Sequence, residues 1–201
     1  RRILQLGVAK TKLQLTGFPV HPRFLAPLPD SQTARQSLGL PLDRFTVLLT
    51  RGGAGGGQVA RLVDAFEKHC PECSLLVVTG HNERLYEQLT QRTAPKFSRI
   101  YQFVDNMEVL MSACDVVVTK AGPGTIMETA TLGKPIILTG AVGLQEEGNI
   151  GFVTETRLGV YCPDPAQAAE SAAAMRATRP TDKPLSKTIP PLAGTTAIAE
   201  T

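Results

Sequence analysis

The apolar residues of this chain fall into short runs separated by longer amphipathic stretches. Phe45-Thr-Val-Leu-Leu-Thr50, Ser74-Leu-Leu-Val-Val-Thr79, a run near 99–103, Asp115-Val-Val-Val118, Pro135-Ile-Ile-Leu138 and Leu158-Gly-Val-Tyr161 are rich in Val, Leu and Ile. Most of them are apolar on consecutive positions. A strand with that pattern is buried on both faces, as in a parallel sheet covered by helices. Helical periodicity fills the gaps, over 58–68, 83–92, a turn holding Met107, Leu110 and Met111, then 124–132, 148–156 and 166–177. Strand alternating with helix predicts an α/β domain built on a doubly wound, mostly parallel, Rossmann-like sheet. Ligands of such domains sit at the carboxyl ends of the strands, so the loops there are the ones to search.

The pattern is absent from both flanks. Residues 18–30, FPVHPRFLAPLPD, are proline-rich and read as a connection between domains. Residues 1–30 are therefore assigned to the end of a preceding domain and its linker, 31–179 to the Rossmann-like domain, and 180–201 to a tail broken by Pro180, Pro184, Pro190 and Pro191. A short helix is expected over 31–38, capped by Asp30 or Ser31 and ended by Gly39. The chain begins with Arg1 and not with methionine, which reads as an excerpt from a longer protein.

Composition narrows the picture only a little. At 201 residues, with 42% apolar and 19% charged positions, the chain is an ordinary globular sequence with enough length for a substantial core. No apolar run approaches the ~20 residues of a membrane span, and RRILQLGVAKTK lacks the apolar stretch of a signal peptide. This reads as a cytoplasmic location. A net charge of +3 suits a phosphate-bearing ligand or an anionic membrane surface. With no tryptophan and 5% aromatics, there is little on which bases could stack, and nucleic acid is not an expected partner. Cys70-Pro-Glu-Cys73 lies beside His69, but Cys114 sits in an apolar run and Cys162 stands alone, so a paired zinc set is missing. A redox pair belongs near a helix start, whereas this one follows a helix. Four reduced thiols are expected.

Three loops could carry chemistry. The first is Arg51-Gly-Gly-Ala-Gly-Gly-Gly-Gln58, whose five glycines let backbone amides approach a ligand closely. It lacks the Gly-Lys-Ser/Thr of a P-loop. Gly55, Gly57 and Ala60 fit a loose dinucleotide spacing, but Thr79-Gly-His-Asn82 lacks the acidic residue that would hold a ribose, so NAD or FAD loses its support. A flexible turn is the plain alternative.

The second loop, Lys120-Ala-Gly-Pro-Gly-Thr-Ile-Met-Glu128, leads into a helix expected to start at Gly124 or Thr125. Its free first-turn amides and positive dipole end make an anion site suited to a diphosphate. Gly122 and Gly124 leave the approach open, and Glu128 could take the vicinal hydroxyls of a ribose. Thr125-x-x-Glu128 equally fits a capping box, in which both side chains only close the helix. The third loop, Thr139-Gly-Ala-Val-Gly-Leu-Gln-Glu-Glu-Gly-Asn149, offers amides and carboxylates that suit sugar hydroxyls. It could also be a solvated helix start.

Together these residues resemble the donor-binding half of GT-B-fold glycosyltransferases, in particular the group of monogalactosyldiacylglycerol synthases and processive diacylglycerol glucosyltransferases. A more distant resemblance is to the transferase that makes lipid II. It runs from about Gly17 to Val160 and rests on Gly17-Phe-Pro-Val20, Leu38-Gly-Leu40, the glycine loop, Phe103-Val-Asp-Asn-Met107, Thr119-Lys-Ala-Gly-Pro-Gly-Thr125 and Gln145-Glu-Glu-Gly-Asn149. The resemblance implies a UDP-sugar donor, UDP-galactose or UDP-glucose, and a diacylglycerol acceptor reached at a membrane surface through an amino-terminal domain. It implies inverting transfer with no cofactor and no metal, and the chain has no Asp-x-Asp motif. Backbone at Phe103 and Val104 would read uracil, and Gly53 of the glycine loop would contact the nucleotide. Gly122, Pro123, Gly124 and Thr125 would cradle the diphosphate, and Glu128 would hold the ribose. Gln145, Glu146 and Asn149 would face the hexose.

The chain departs from that family in two places. Its glycine loop lacks the acidic residue that usually follows, with Gln58 in its stead. The amino-terminal domain, which supplies the general base, is absent from the sequence. The alternatives are a non-catalytic donor-binding subunit of a two-chain enzyme, or an enzyme like the UDP-N-acetylglucosamine epimerases.

Overall fold

The computed structural model describes residues 2–13, 17–50, 56–92 and 98–178. A short helix α1 (Arg2–Gln5) and two 3-10 turns (Lys10–Lys12, Pro22–Phe24) lead into α2 (Ser31–Ser37). The alternating part follows as β1 (Thr46–Thr50), α3 (Gly56–His69), β2 (Ser74–Val78), α4 (Glu83–Thr90), β3 (Arg99–Tyr101), α5 (Met107–Ala113), β4 (Val116–Thr119), α6 (Pro123–Thr131), β5 (Ile136–Leu138), α7 (Gly143–Glu155), β6 (Gly159–Tyr161) and α8 (Pro165–Ala177). The strands form one sheet in the order β3-β2-β1-β4-β5-β6, every pair parallel. The order reverses between β1 and β4, which is the crevice where ligands of open α/β sheets bind. Among the described residues no helix is long and apolar enough to cross a membrane.

Both faces of the sheet are covered, as consecutive apolar positions require. Val47, Leu49, Leu75, Val77, Val116, Val118 and Ile137 pack on one side with Phe66 and Leu62 of α3 and the alanines of α8. Leu48, Leu76 and Val117 pack on the other with Leu110 and Met111 of α5 and Ala34 of α2. The alanine-rich sequence of α8 lets it lie close to α3, because Ala168, Ala169 and Ala172 are fully buried there. The segment read as a linker is docked too, with Val20 and Phe24 buried in the second cluster. Asp30 caps α2 by accepting from Thr33 N at 2.9 Å. Arg35 on that helix is 1% exposed and donates to Asp115 at 2.6 Å and to the Ala113 carbonyl at 2.9 Å, fixing α2 against the entry to β4.

Two expectations need correction. Helix α7 starts at Gly143, five residues before the expected 148, because its first turn exposes Leu144 and so carries no apolar stripe to announce it. The thiols are not all free. Cys70 and Cys73 are joined in a disulfide across Cα atoms 5.6 Å apart, and only Cys114 and Cys162 are free. The turn that closes α3, with Cys73 N donating to the Cys70 carbonyl at 2.9 Å, brings the pair within bonding range. The tail at 180–201 lies outside the described residues.

Candidate functional site

The loop after β4 turns tightly into α6. Ala121 N donates to the Gly140 carbonyl at 2.7 Å, and Gly122 N to the Lys120 carbonyl at 2.8 Å. Gly122 is the N-cap, in extended conformation, with no side-chain cap, and Pro123 takes the first helical position. Pro is suited to that position because its missing N–H has no partner there in any helix. The first intrahelical bond from beyond this turn is Ile126 N to the Gly122 carbonyl at 3.2 Å. The amides of Gly124 and Thr125 therefore stand at the positive end of α6 without a partner inside the helix.

This geometry rules out the capping box. In that motif the threonine is the N-cap and the glutamate lies three residues on, but here the N-cap is Gly122 and Thr125 is already inside the helix. The Thr125 carbonyl accepts from Thr129 Oγ1 at 2.6 Å. A Cβ built on Gly124 meets nothing within 4 Å. The protein itself does not need a glycine at this helical position, and glycine there costs about 0.5–1 kcal/mol relative to alanine.

Glu128 is half-buried on the next turn of α6. Desolvation by burial raises its pKa above the ordinary carboxylate value, the Arg23 guanidinium works against that, and the Glu108 carboxylate adds to it. Arg23 comes from the 3-10 turn upstream of α2 and Glu108 from the first turn of α5. Neither was singled out from the sequence, because 80 or so residues separate them and no local pattern marks the pairing.

The loop after β5 is closed from within. Glu146 is 6% exposed; one carboxylate oxygen pairs with Lys120 Nζ and the other accepts from Val142 N at 2.8 Å. Its neighbours differ. Gln145 is exposed, while Asn149 donates to the Ala121 carbonyl at 2.8 Å, joining α7 to the loop that enters α6. Lys120 lies at the same junction, its Nζ 3.4 Å from where a Gly122 Cβ would be. Gln58 Nε2 donates to the Thr139 carbonyl at 3.0 Å, so the start of α3 is tied to the end of β5. Gly53 lies outside the described residues.

At the outer strands, Phe103 follows β3 and is 63% exposed; Val104 beside it is half-buried. The Phe103 ring stacks on His81, from the loop after β2, with centroids 4.7 Å apart and planes 12° from parallel. All these loops leave the carboxyl ends of parallel strands, so they gather on one edge of the sheet. Among the described residues no group of three or more His, Cys, Asp or Glu could hold a metal ion.

The sheet and the open helix start at its switch point are those of one Rossmann-like half of a GT-B glycosyltransferase. Residues 46–141 match the glycosyltransferase family 28 C-terminal domain, and the chain contains the donor-binding domain of that family in a form close to the monogalactosyldiacylglycerol synthases. A probable chloroplastic monogalactosyldiacylglycerol synthase of Nicotiana tabacum is 36% identical over 180 residues, covering 86% of this chain and 34% of that protein. The chain thus spans about a third of such a relative. Solved structures sharing the fold include WaaG, a glycosyltransferase involved in lipopolysaccharide biosynthesis (TM-score 0.60, 17% identity, 96% of this chain and 53% of that one). Another is Anabaena Alr3699/HepE in complex with UDP and glucose (TM-score 0.55, 23% identity, 92% of this chain and 50% of that one).

Proposed function

We propose that this chain binds the donor of a glycolipid-forming transferase: UDP-galactose or UDP-glucose, whose hexose passes to diacylglycerol at a membrane surface. The observation that carries this reading is the uncapped start of α6, with open space before Gly124 and a half-buried carboxylate, Glu128, one turn on. A diphosphate placed there meets the amides of Gly124 and Thr125 and the helix dipole. The ribose then falls to Glu128 and the uracil to the backbone at Phe103 and Val104. Gln145 and Asn149 face the hexose, while Glu146 serves it through the loop that it closes. The likeness to galactolipid synthases supports the substrate class.

The chemistry needs no metal in this reading. As UDP departs, negative charge grows on its β-phosphate, and fixed amide dipoles aimed at that position stabilise it at the moment of transfer. Attack by an alcohol also needs a base on the opposite face, and the three histidines offer none. His21 Nδ1 accepts from Arg23, His69 lies 3.5 Å from Glu170 and His81 stacks on Phe103. The 201-residue chain is therefore expected to bind donor and to form no glycolipid with diacylglycerol in mixed micelles. Product abolished by a substitution within the chain would place the base here instead.

Calorimetric titration with UDP, UDP-galactose, UDP-glucose and ADP tests the reading. Binding of the uridine ligands in the micromolar to millimolar range, with ADP weaker, is the expected result. Equal affinity for UDP and ADP removes the base-reading role of Phe103 and Val104, and no binding of any of the four removes the donor site.

A further inference from the structure

The Pro22–Phe24 turn belongs to the segment between domains, yet it is built into the mouth of the site. Val20 and Phe24 on either side of Arg23 are buried against the sheet, so the turn has no freedom to drift. Arg23 Nη1 donates to the Asp105 carbonyl, two residues after Phe103 and one after Val104. The same nitrogen stands 3.8 Å from Glu108 Oε2, with the two side chains 40% and 15% exposed. That oxygen is buried and has no hydrogen-bond partner among the described residues. From behind, His21 Nδ1 accepts from Arg23 Nε at 3.2 Å and from Arg23 N at 3.3 Å, which aims the guanidinium forward. The charged groups that bear on Glu128 are this guanidinium, from the turn, and the Glu108 carboxylate, from α5.

We infer that Arg23 is a positioning residue of the nucleotide site: it fixes the backbone after β3 through the Asp105 carbonyl and sets its positive charge beside Glu108 at the mouth of that site. The inference rests on the donor-site reading above. Its two parts are separable. The hydrogen bond to Asp105 sets where the base-facing backbone lies and acts at every pH. The charge favours an ionised Glu128, the form that accepts from both ribose hydroxyls, and acts only where that carboxyl titrates. Donor affinity is thereby tied to the pose of the segment that joins this domain to what precedes it. Loss of the guanidinium loosens the base loop and shifts the ribose ligand's pKa further up together.

The test is UDP affinity of the 201-residue chain between pH 5 and 8, for the wild type, R23Q and R23K, together with carbon-13 NMR titration of the Glu128 carboxyl without nucleotide. Melting curves confirm that the variants fold, as the part-exposed side chain allows. R23Q is expected to lose roughly fivefold in affinity at pH 8, about the effect of one ordinary intramolecular hydrogen bond. It should lose more in acid, with the Glu128 titration displaced to higher pH. R23K should keep the Glu128 titration near its wild-type position while still losing affinity at pH 8, since a lysine supplies charge without the guanidinium fork. If the wild type binds UDP and R23Q changes neither the acid limb nor the Glu128 titration, the inference is overturned and the donor site stands. Equal, pH-independent losses in R23Q and R23K overturn the charge role. A wild type that ignores UDP at every pH refutes the donor-site reading itself.

Discussion

Glu128 carries its charge in a place that disfavours charge. Its folded-state pKa is raised, first by desolvation, so between the ordinary carboxylate value and the raised one the folded chain binds more protons than the unfolded chain. Stability then falls as pH rises through that window, and the cost is complete above it. Glu128→Gln should therefore melt higher than the wild type at neutral pH, with the gap closing as acid protonates the wild-type carboxyl. The same substitution should weaken UDP binding by ~1–3 kcal/mol, the scale of a lost charged hydrogen-bond partner. A variant that is less stable and binds UDP normally would return Glu128 to a structural role. Gly159 shows the opposite kind of constraint. A Cβ there would lie 1.9 Å from the Ile136 carbonyl oxygen, the residue with which Gly159 is in register. Gly159→Ala must push β6 away from β5, and a loss of about 2 kcal/mol, typical of forced overpacking, should appear in urea unfolding with little change in slope.

Among the elements, the strands were the most legible. Runs such as Val116-Val-Val118 are too short for a helix and apolar at each step, so burial on both faces was the only economical reading, and the parallel sheet followed. The α6 start was legible as an anion site but not as a cap. Gly-Pro-Gly-Thr fits two helix starts three residues apart, and only the backbone decides that Pro123 leads. The start of α7 was hidden because its first turn has an exposed face and is held by Glu146 from inside. That arrangement divides the loop's residues by task. Gln145 faces solvent, whereas Glu146 is buried and engaged. Gln145→Ala should reduce affinity for the UDP-hexose while leaving UDP affinity unchanged. A parallel loss for both ligands would show that Gln145 shapes the pocket without touching the sugar. Arg23 was illegible for a different reason: its distant partners lie in the loop after β3 and on α5, and sequence patterns report neighbours along the chain.

At the level of the whole molecule, the parallel sheet gives the domain two unlike ends. The carboxyl ends of the strands carry the open amides and the candidate ligand groups; the amino ends carry cross-links. Cys70 is joined to Cys73, Arg44 donates to the Glu72 carbonyl at 3.2 Å, and Arg176 at the close of α8 pairs with the Glu72 carboxylate. The two remaining thiols are buried, and burial pushes the pKa of Cys114 up to about 12, which leaves it inert to thiol reagents. Titration with an aromatic disulfide reagent should find no reactive thiol in the folded protein, two after unfolding without reductant and four after unfolding and reduction. Four thiols after unfolding without reductant would show that Cys70 and Cys73 are not bonded as purified.

Because α8 runs antiparallel to the strands it covers, its end at Ala177 lies at the amino end of the sheet, on the side away from the candidate ligand loops. A tether attached there would present every molecule the same way round, binding edge outward, on a sensor chip or a vesicle carrying capture lipids. The domain can thus be immobilised as an oriented layer without a linker crossing its ligand site.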